Sequence, residues 1–151
     1  MVFFCRYFVQ GQESSKNVVS IGINFSAQPR FDFYDLSPGV SIEYERLLNN
    51  YFSVGLDIGM EMSFIWPYAE IQGHWYPWAK MFFVGFGLGV FGWFLTISLD
   101  IGWKINIGKA NRLVIISSTA VRKFLGDIGQ PFYYIFIPNI VEFCLKIGYK
   151  F

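Results

Sequence analysis

The sequence predicts an all-β chain, an eight-stranded antiparallel up-and-down transmembrane β-barrel, and three observations carry that prediction. From Tyr51 to Ser63, the large apolar residues Phe52, Val54, Leu56, Ile58, Met60 and Met62 alternate with Ser53, Gly55, Asp57, Gly59, Glu61 and Ser63. Successive side chains of a strand point to opposite faces, so one face here is hydrocarbon and the other polar. The stretch exceeds the ~9–11 residues that a tilted strand needs to cross a bilayer, and the pattern recurs seven more times. Composition agrees: only 15% of the 151 residues are charged and 21% are aromatic, with positive mean hydropathy, whereas a soluble protein carries ~25% charged residues.

The strands follow in order. The first, residues 17–25, sets Val19, Ile21, Ile23 and Phe25 against Ser20, Gly22 and Asn24, and the second, 39–45, sets Val40, Ile42 and Tyr44 against Ser41, Glu43 and Glu45. After a turn at 46–50 comes the third, 51–63. The fourth, 68–76, opposes Ala69, Ile71, Gly73 and Trp75 to Tyr68, Glu70, Gln72, His74 and Tyr76, and a turn at 77–80 follows. The fifth, 81–91, opposes Phe82, Val84, Phe86, Leu88 and Val90 to Gly85, Gly87 and Gly89, and the two-residue link Gly92-Trp93 joins it to the sixth, 94–106. That strand sets Leu95, Ile97, Leu99, Ile101, Trp103 and Ile105 against Thr96, Ser98, Asp100, Gly102, Lys104 and Asn106. The seventh, 112–122, is apolar on both parities at Leu113-Val-Ile-Ile116; we read it with Arg112 and Arg122 inward. A long connection, 123–138, leads to the eighth, 139–151, where Val141, Phe143, Leu145, Ile147, Tyr149 and Phe151 alternate with Glu142, Cys144, Lys146, Gly148 and Lys150.

Three rival readings fail on pattern. Met81 to Leu99 is uncharged for nineteen residues, long enough for a membrane helix, but its glycines recur with period two rather than the spacing of four that packs helices. Gly87-Leu-Gly-Val-Phe-Gly92 matches a dinucleotide-binding fingerprint, yet β-prone residues follow where a helix must start. A soluble barrel would carry Lys, Glu and Thr on its polar face. The polar face here is Gly and Ser with a few charges, which suits the crowded interior of a narrow barrel.

Interior charges need partners. Glu43, Glu45, Asp57, Glu61, Glu70, Asp100 and Glu142 can be answered by Lys104, Lys146 and an inward Arg112 or Arg122. The candidate lumen network is therefore Glu43, Asp57, Glu61, Glu70, His74, Asp100, Lys104, Glu142 and Lys146, with His74 as a hydrogen-bonding residue. No nucleophile and orienter accompany that histidine, so no catalytic residue is expected, nor a metal or cofactor. Net charge of +1 with scattered Lys and Arg offers no basic stripe for nucleic acid. Cys5 and Cys144 form no disulfide framework. Residues 1–11, apolar and ending Val9-Gln10-Gly11, read as the remnant of a secretory signal, or else as a ragged terminus, ahead of a single barrel domain at 12–151.

The ending Phe143-Cys-Leu-Lys-Ile-Gly-Tyr-Lys-Phe151, together with Trp75-Tyr-Pro-Trp78 and Phe82-Phe-Val-Gly-Phe-Gly-Leu-Gly89, resembles small bacterial outer-membrane barrels of the OmpA/OmpX/OmpW type, including spirochaetal ones, over residues 17–151. The resemblance implies that Leu145, Ile147, Tyr149 and Phe151 form the signal read by the outer-membrane assembly machinery. It also implies periplasmic termini, with outward loops near 26–38, 64–67, 92–93 and 123–138. Such barrels usually carry a long outward loop where this chain has only Gly92-Trp93. Aromatic belts are then expected at Tyr51, Trp75, Trp78, Trp103, Tyr149 and Phe151 on the periplasmic side, and at Phe31, Phe33, Tyr34, Trp66, Trp93, Tyr133 and Tyr134 outside.

The function expected is that of a non-enzymatic, monomeric barrel in membrane lipid, with a plugged polar lumen and a structural or surface-interaction role. The alternatives are a narrow, porin-like passage for small hydrophobic solutes and, third, a lipid-modifying barrel enzyme.

Overall fold

The computed structural model describes residues 16–30, 33–62, 65–78, 81–108, 111–127 and 140–151. The expected signal remnant and Cys5 lie outside them. Eight strands, β1 (Asn17–Arg30), β2 (Phe33–Leu47), β3 (Phe52–Glu61), β4 (Trp66–Trp78), β5 (Phe82–Phe91), β6 (Phe94–Ile107), β7 (Leu113–Asp127) and β8 (Ile140–Lys150), pair antiparallel in chain order. The sheet closes where β1 meets β8, from Val18 opposite Lys150 to Ala27 opposite Val141. Met81 to Leu99, the candidate helix, is instead parts of two strands, and the described residues contain no helix.

Alternation decides inside from outside as the pattern demands. Ile21, Ile42, Leu56, Ile71, Phe86, Leu99 and Ile147 are exposed, while Ser20, Glu43, Asp57, Glu70, Ser98 and Lys146 are buried. A globular protein in water would do the reverse. The exposed ring of aliphatic side chains is wetted by hydrocarbon, and every strand in it finds ladder partners on both edges, as a chain in lipid requires.

The strands run further than expected at the end away from the termini. The expected loop at 26–38 is largely strand, with Ser26 opposite Ser37 and Arg30 opposite Phe33, and β7 runs to Asp127 into the expected loop at 123–138. On β7 the outward position after Val121 is the exposed Lys123, so the apolar band is interrupted before the ladder ends. At Gly92-Trp93 the hairpin is tight, and Gly92 has φ 57° while Trp93 stays out of the positive region. Glycine at the first central position is what a two-residue type II′ hairpin needs.

Glycine also makes room inside. A Cβ on Gly87 would collide with the Glu70 carboxylate and Ser98 Oγ, whereas one on outward Gly73 would meet nothing nearer than 4.0 Å. Gly87→Ala should therefore lower stability in lipid vesicles by about 1–3 kcal/mol, the cost of overpacking, while Gly73→Ala should be neutral or slightly stabilising. Reversible denaturant unfolding measures both, and equal effects would contradict the assignment of faces.

Candidate functional site in the barrel interior

Three groups of buried side chains project into the lumen from the terminal end upward. In the first, Glu45 on β2 is the hub: its carboxylate accepts hydrogen bonds from Ser53 Oγ, Tyr76 Oη and Lys104 Nζ, and His74 Nδ1 lies 3.4 Å away. His74 Nε2 is 3.5 Å from Asp100 Oδ2, so the imidazole bridges two acids. The Lys104 ammonium also sits 5.0 Å from the centre of the Tyr76 ring and 5.5 Å from that of Phe83. Beneath them Val18, Tyr76, Phe83, Val114 and Ile116 form an apolar floor.

In the second group, Lys146 on β8 donates to Glu43 Oε2 and Asp57 Oδ2, each at 2.9 Å. Above it, Arg122 on β7 pairs with Glu142 at 2.9 Å and with Glu70 at 3.4 Å, and its guanidinium lies 4.8 Å from the Tyr68 ring centre. Glu70 also accepts from Ser98 at 2.7 Å and Gln72 at 2.8 Å; Asn24 donates to Glu142 at 2.7 Å and Ser26 to Glu61. Stacked Tyr68 and Phe91, with Trp66 and Phe124 edge-on to Phe91, cover this end.

Except for Arg122–Glu142, which joins adjacent β7 and β8, the ion pairs of Lys104, Arg122 and Lys146 join strands that are not neighbours. Glu45–Lys104 links β2 to β6, directly across the barrel, while Lys146 ties β8 to β2 and β3, and Arg122 ties β7 to β4 and β8. Such pairs brace the cylinder in directions that ladder bonds do not. Among the described residues the lumen holds seven buried acids, Glu43, Glu45, Asp57, Glu61, Glu70, Asp100 and Glu142, against Lys104, Arg122, Lys146 and His74. Between the groups lies a cavity of about 30 Å³, bordered by residues that include Asp57, Asp100, Cys144 and Lys146. It has room for a water or two, not a solute.

The interior contains all nine residues of the expected network, but two expectations change. Arg112, expected inward, precedes β7 and is exposed at the terminal rim, donating to Tyr149 Oη at 3.2 Å; β7 begins one residue later, so its parity does not bind Arg112. Trp66, expected in the outer belt, shares the inward parity of Tyr68 and packs on Phe91 and Phe94. Tyr51, Trp75, Trp93, Trp103, Tyr149 and Phe151 are exposed. Phe31, Tyr133, Tyr134 and the side chains of Phe33, Tyr34 and Trp78 lie outside the described residues. The hub role of Tyr76 was not read from the sequence; a tyrosine two residues from His74 on the polar parity of β4 was its only signal.

Ligand atoms of Glu43, Glu45 and His74 lie within 4.8 Å of one another, a spacing that could hold a metal ion. Lys104 and Lys146 already neutralise the two carboxylates, so the arrangement is an ion-pair network.

Neither family models nor curated proteins match the chain. Solved structures do: a de novo designed transmembrane β-barrel (TM-score 0.62, 10% identity, covering 94% of this chain and 100% of that one), the attachment invasion locus protein Ail of Yersinia pestis (0.60, 15%, 91% and 99%) and Neisserial surface protein A, NspA (0.58, 8%, 91% and 98%). At these identities the likeness is one of fold. The chain has the fold of an eight-stranded transmembrane β-barrel.

Lys146 is the most heavily used cation of the middle layer. Lys146→Met should destabilise the barrel by about 3–5 kcal/mol, because it leaves Glu43 and Asp57 buried and unanswered. Adding Asp57→Asn and Glu43→Gln should restore much of that loss. Unfolding in lipid vesicles measures both, and no recovery in the triple variant would show that Lys146 acts through packing.

Proposed function

We propose that the chain is an integral outer-membrane barrel of bacteria, monomeric, with periplasmic termini and a lumen plugged by its own side chains, and that its role is structural or one of surface interaction rather than catalysis. The observation that carries this reading is the set of ion pairs spanning the lumen between β2 and β6, β4 and β7, and β8 and β3. Eight strands enclose a space that side chains can fill, and here the long ones meet across it. A hydrolase would need a nucleophile activated by His74; Ser53, opposite it on β3, instead gives its hydroxyl to Glu45, and the two imidazole nitrogens face Glu45 and Asp100. Passage of hydrophobic solutes would require the Trp66, Tyr68, Phe91 and Phe124 rings to part, and then the Arg122 pairs beneath them.

Leu145, Ile147, Tyr149 and Phe151 all lie on the outward face of β8, where an assembly factor reading the strand before insertion would find one apolar edge. We assign the assembly signal to these four residues.

Two experiments test these readings. Refolded protein in planar bilayers should show no steady conductance of porin size; reproducible large channels would overturn the plugged lumen. Deleting Phe151 should leave refolding in detergent micelles intact while the truncated chain accumulates unassembled in the periplasm. Normal assembly in cells would contradict the signal, and failure in both settings would make Phe151 a structural anchor.

A further inference from the structure

Among the described residues, basic side chains gather at the terminal rim of the barrel. At the terminal rim, exposed Arg46 stands one residue before the end of β2, exposed Lys16 precedes β1, exposed Arg112 precedes β7, and half-buried Lys150 ends β8 with its Nζ donating to Asn106 Oδ1. In barrel order β2, β1, β8 and β7 are consecutive, so the four cations form one continuous arc. Backbone bonds fix their proximity: Arg46 sits opposite Asn17, Leu47 N donates to Lys16 O at 2.8 Å, and Lys150 N donates to Arg112 O at 2.7 Å. Among the described residues no exposed acidic side chain lies at this rim; the nearby Glu45 is buried and held by Lys104. A carboxylate at Phe151 would still leave the arc net positive.

Phenols and amides stand between these cations. Tyr44 Oη donates to Asn17 Oδ1 at 2.9 Å, and Arg112 donates to Tyr149 Oη at 3.2 Å, which leaves that phenol its own O–H to give. Guanidinium and phenol side by side form a fork of donors for phosphate oxygens. Trp75, Trp103 and Tyr149 are exposed on the same end, and such rings sit at headgroup level. The arc therefore lies where lipid phosphates lie.

We propose that this arc is a docking surface for anionic phospholipid headgroups of the leaflet at the terminal end, with exposed Arg46, Arg112 and Lys16 as the recognising residues. The proposal rests on the transmembrane fold and is independent of whether the lumen is plugged. Each basic residue close to an anionic membrane surface favours contact by roughly fivefold at low salt.

The test measures association of spin-labelled phosphatidylglycerol and phosphatidylcholine with the refolded barrel in phosphatidylcholine vesicles. The wild-type chain should favour phosphatidylglycerol by about fivefold or more, and the preference should shrink towards one in about 1 M salt, where screening acts within ~3 Å. Arg46→Gln with Arg112→Gln should remove most of it, while Lys123→Gln, exposed on β7 towards the other end, should change little. Equal association of the two lipids overturns the proposal, as does a loss as large in the Lys123 variant. Salt-sensitive binding of soluble heparin without headgroup preference would also overturn it, assigning the arc to a soluble polyanion.

Discussion

The structure depends on one constraint: in hydrocarbon, a peptide N–H or C=O without a partner costs several kcal/mol. An open sheet of this composition would leave two edges unsatisfied, so β1 must find β8, and it does so over ten consecutive pairs from Val18–Lys150 to Ala27–Val141. Closure then dictates the rest. Eight strands make a cylinder narrow enough for side chains from opposite walls to meet, so the inward face needs small residues beside long ones. Gly85 and Gly87 on β5 give space to Asp100, His74, Glu70 and Ser98 from the adjoining strands. Removed from bulk water, the long polar residues must answer one another, which puts Glu45 on Lys104, Arg122 on Glu70 and Glu142, and Lys146 on Glu43 and Asp57.

Most of the architecture was legible because the chain has two solvents and period-two alternation reports both. Where each solvent ceases to impose a choice, the signal fades. At the end away from the termini β1 and β2 continue as strand through Pro29, Arg30 and Tyr34, where Pro29 and Asp35 interrupt the β-prone pattern. Within β7, Leu113 to Ile116 is apolar on both faces because the lumen at that level is itself apolar: Val114 and Ile116 pack with Val18, Tyr76 and Phe83. The assignment of Arg122 to the interior survived this ambiguity, while that of Arg112 did not, since parity holds only inside the ladder. Buried partners could be named by sign and parity alone. Which acid met which base was not legible, because all the pairs of Lys104, Lys146 and Arg122 except Arg122–Glu142 join strands that are not consecutive, and all depend on the stagger of the closed sheet.

Charge is arranged in layers. The interior is rich in acids braced by three bases, the middle of the outer wall carries aliphatic residues, and the terminal rim carries Lys16, Arg46, Arg112 and Lys150. A net formal charge of +1 hides this separation. The seven buried acids are spent internally, while exposed Lys16, Arg46 and Arg112 face whatever surface borders the membrane at the terminal end.

The central proposal, that side chains fill the interior and keep bulk solvent out, is tested most directly at Cys144, which lines the lumen cavity on β8. The measurement is the rate at which a small charged methanethiosulfonate modifies this thiol in a Cys5→Ser chain folded in lipid vesicles, with the urea-unfolded chain as reference. The account predicts that the folded barrel protects Cys144 by orders of magnitude. Modification of the folded barrel at a rate near that of the unfolded chain would mean a wet, open lumen and would contradict it.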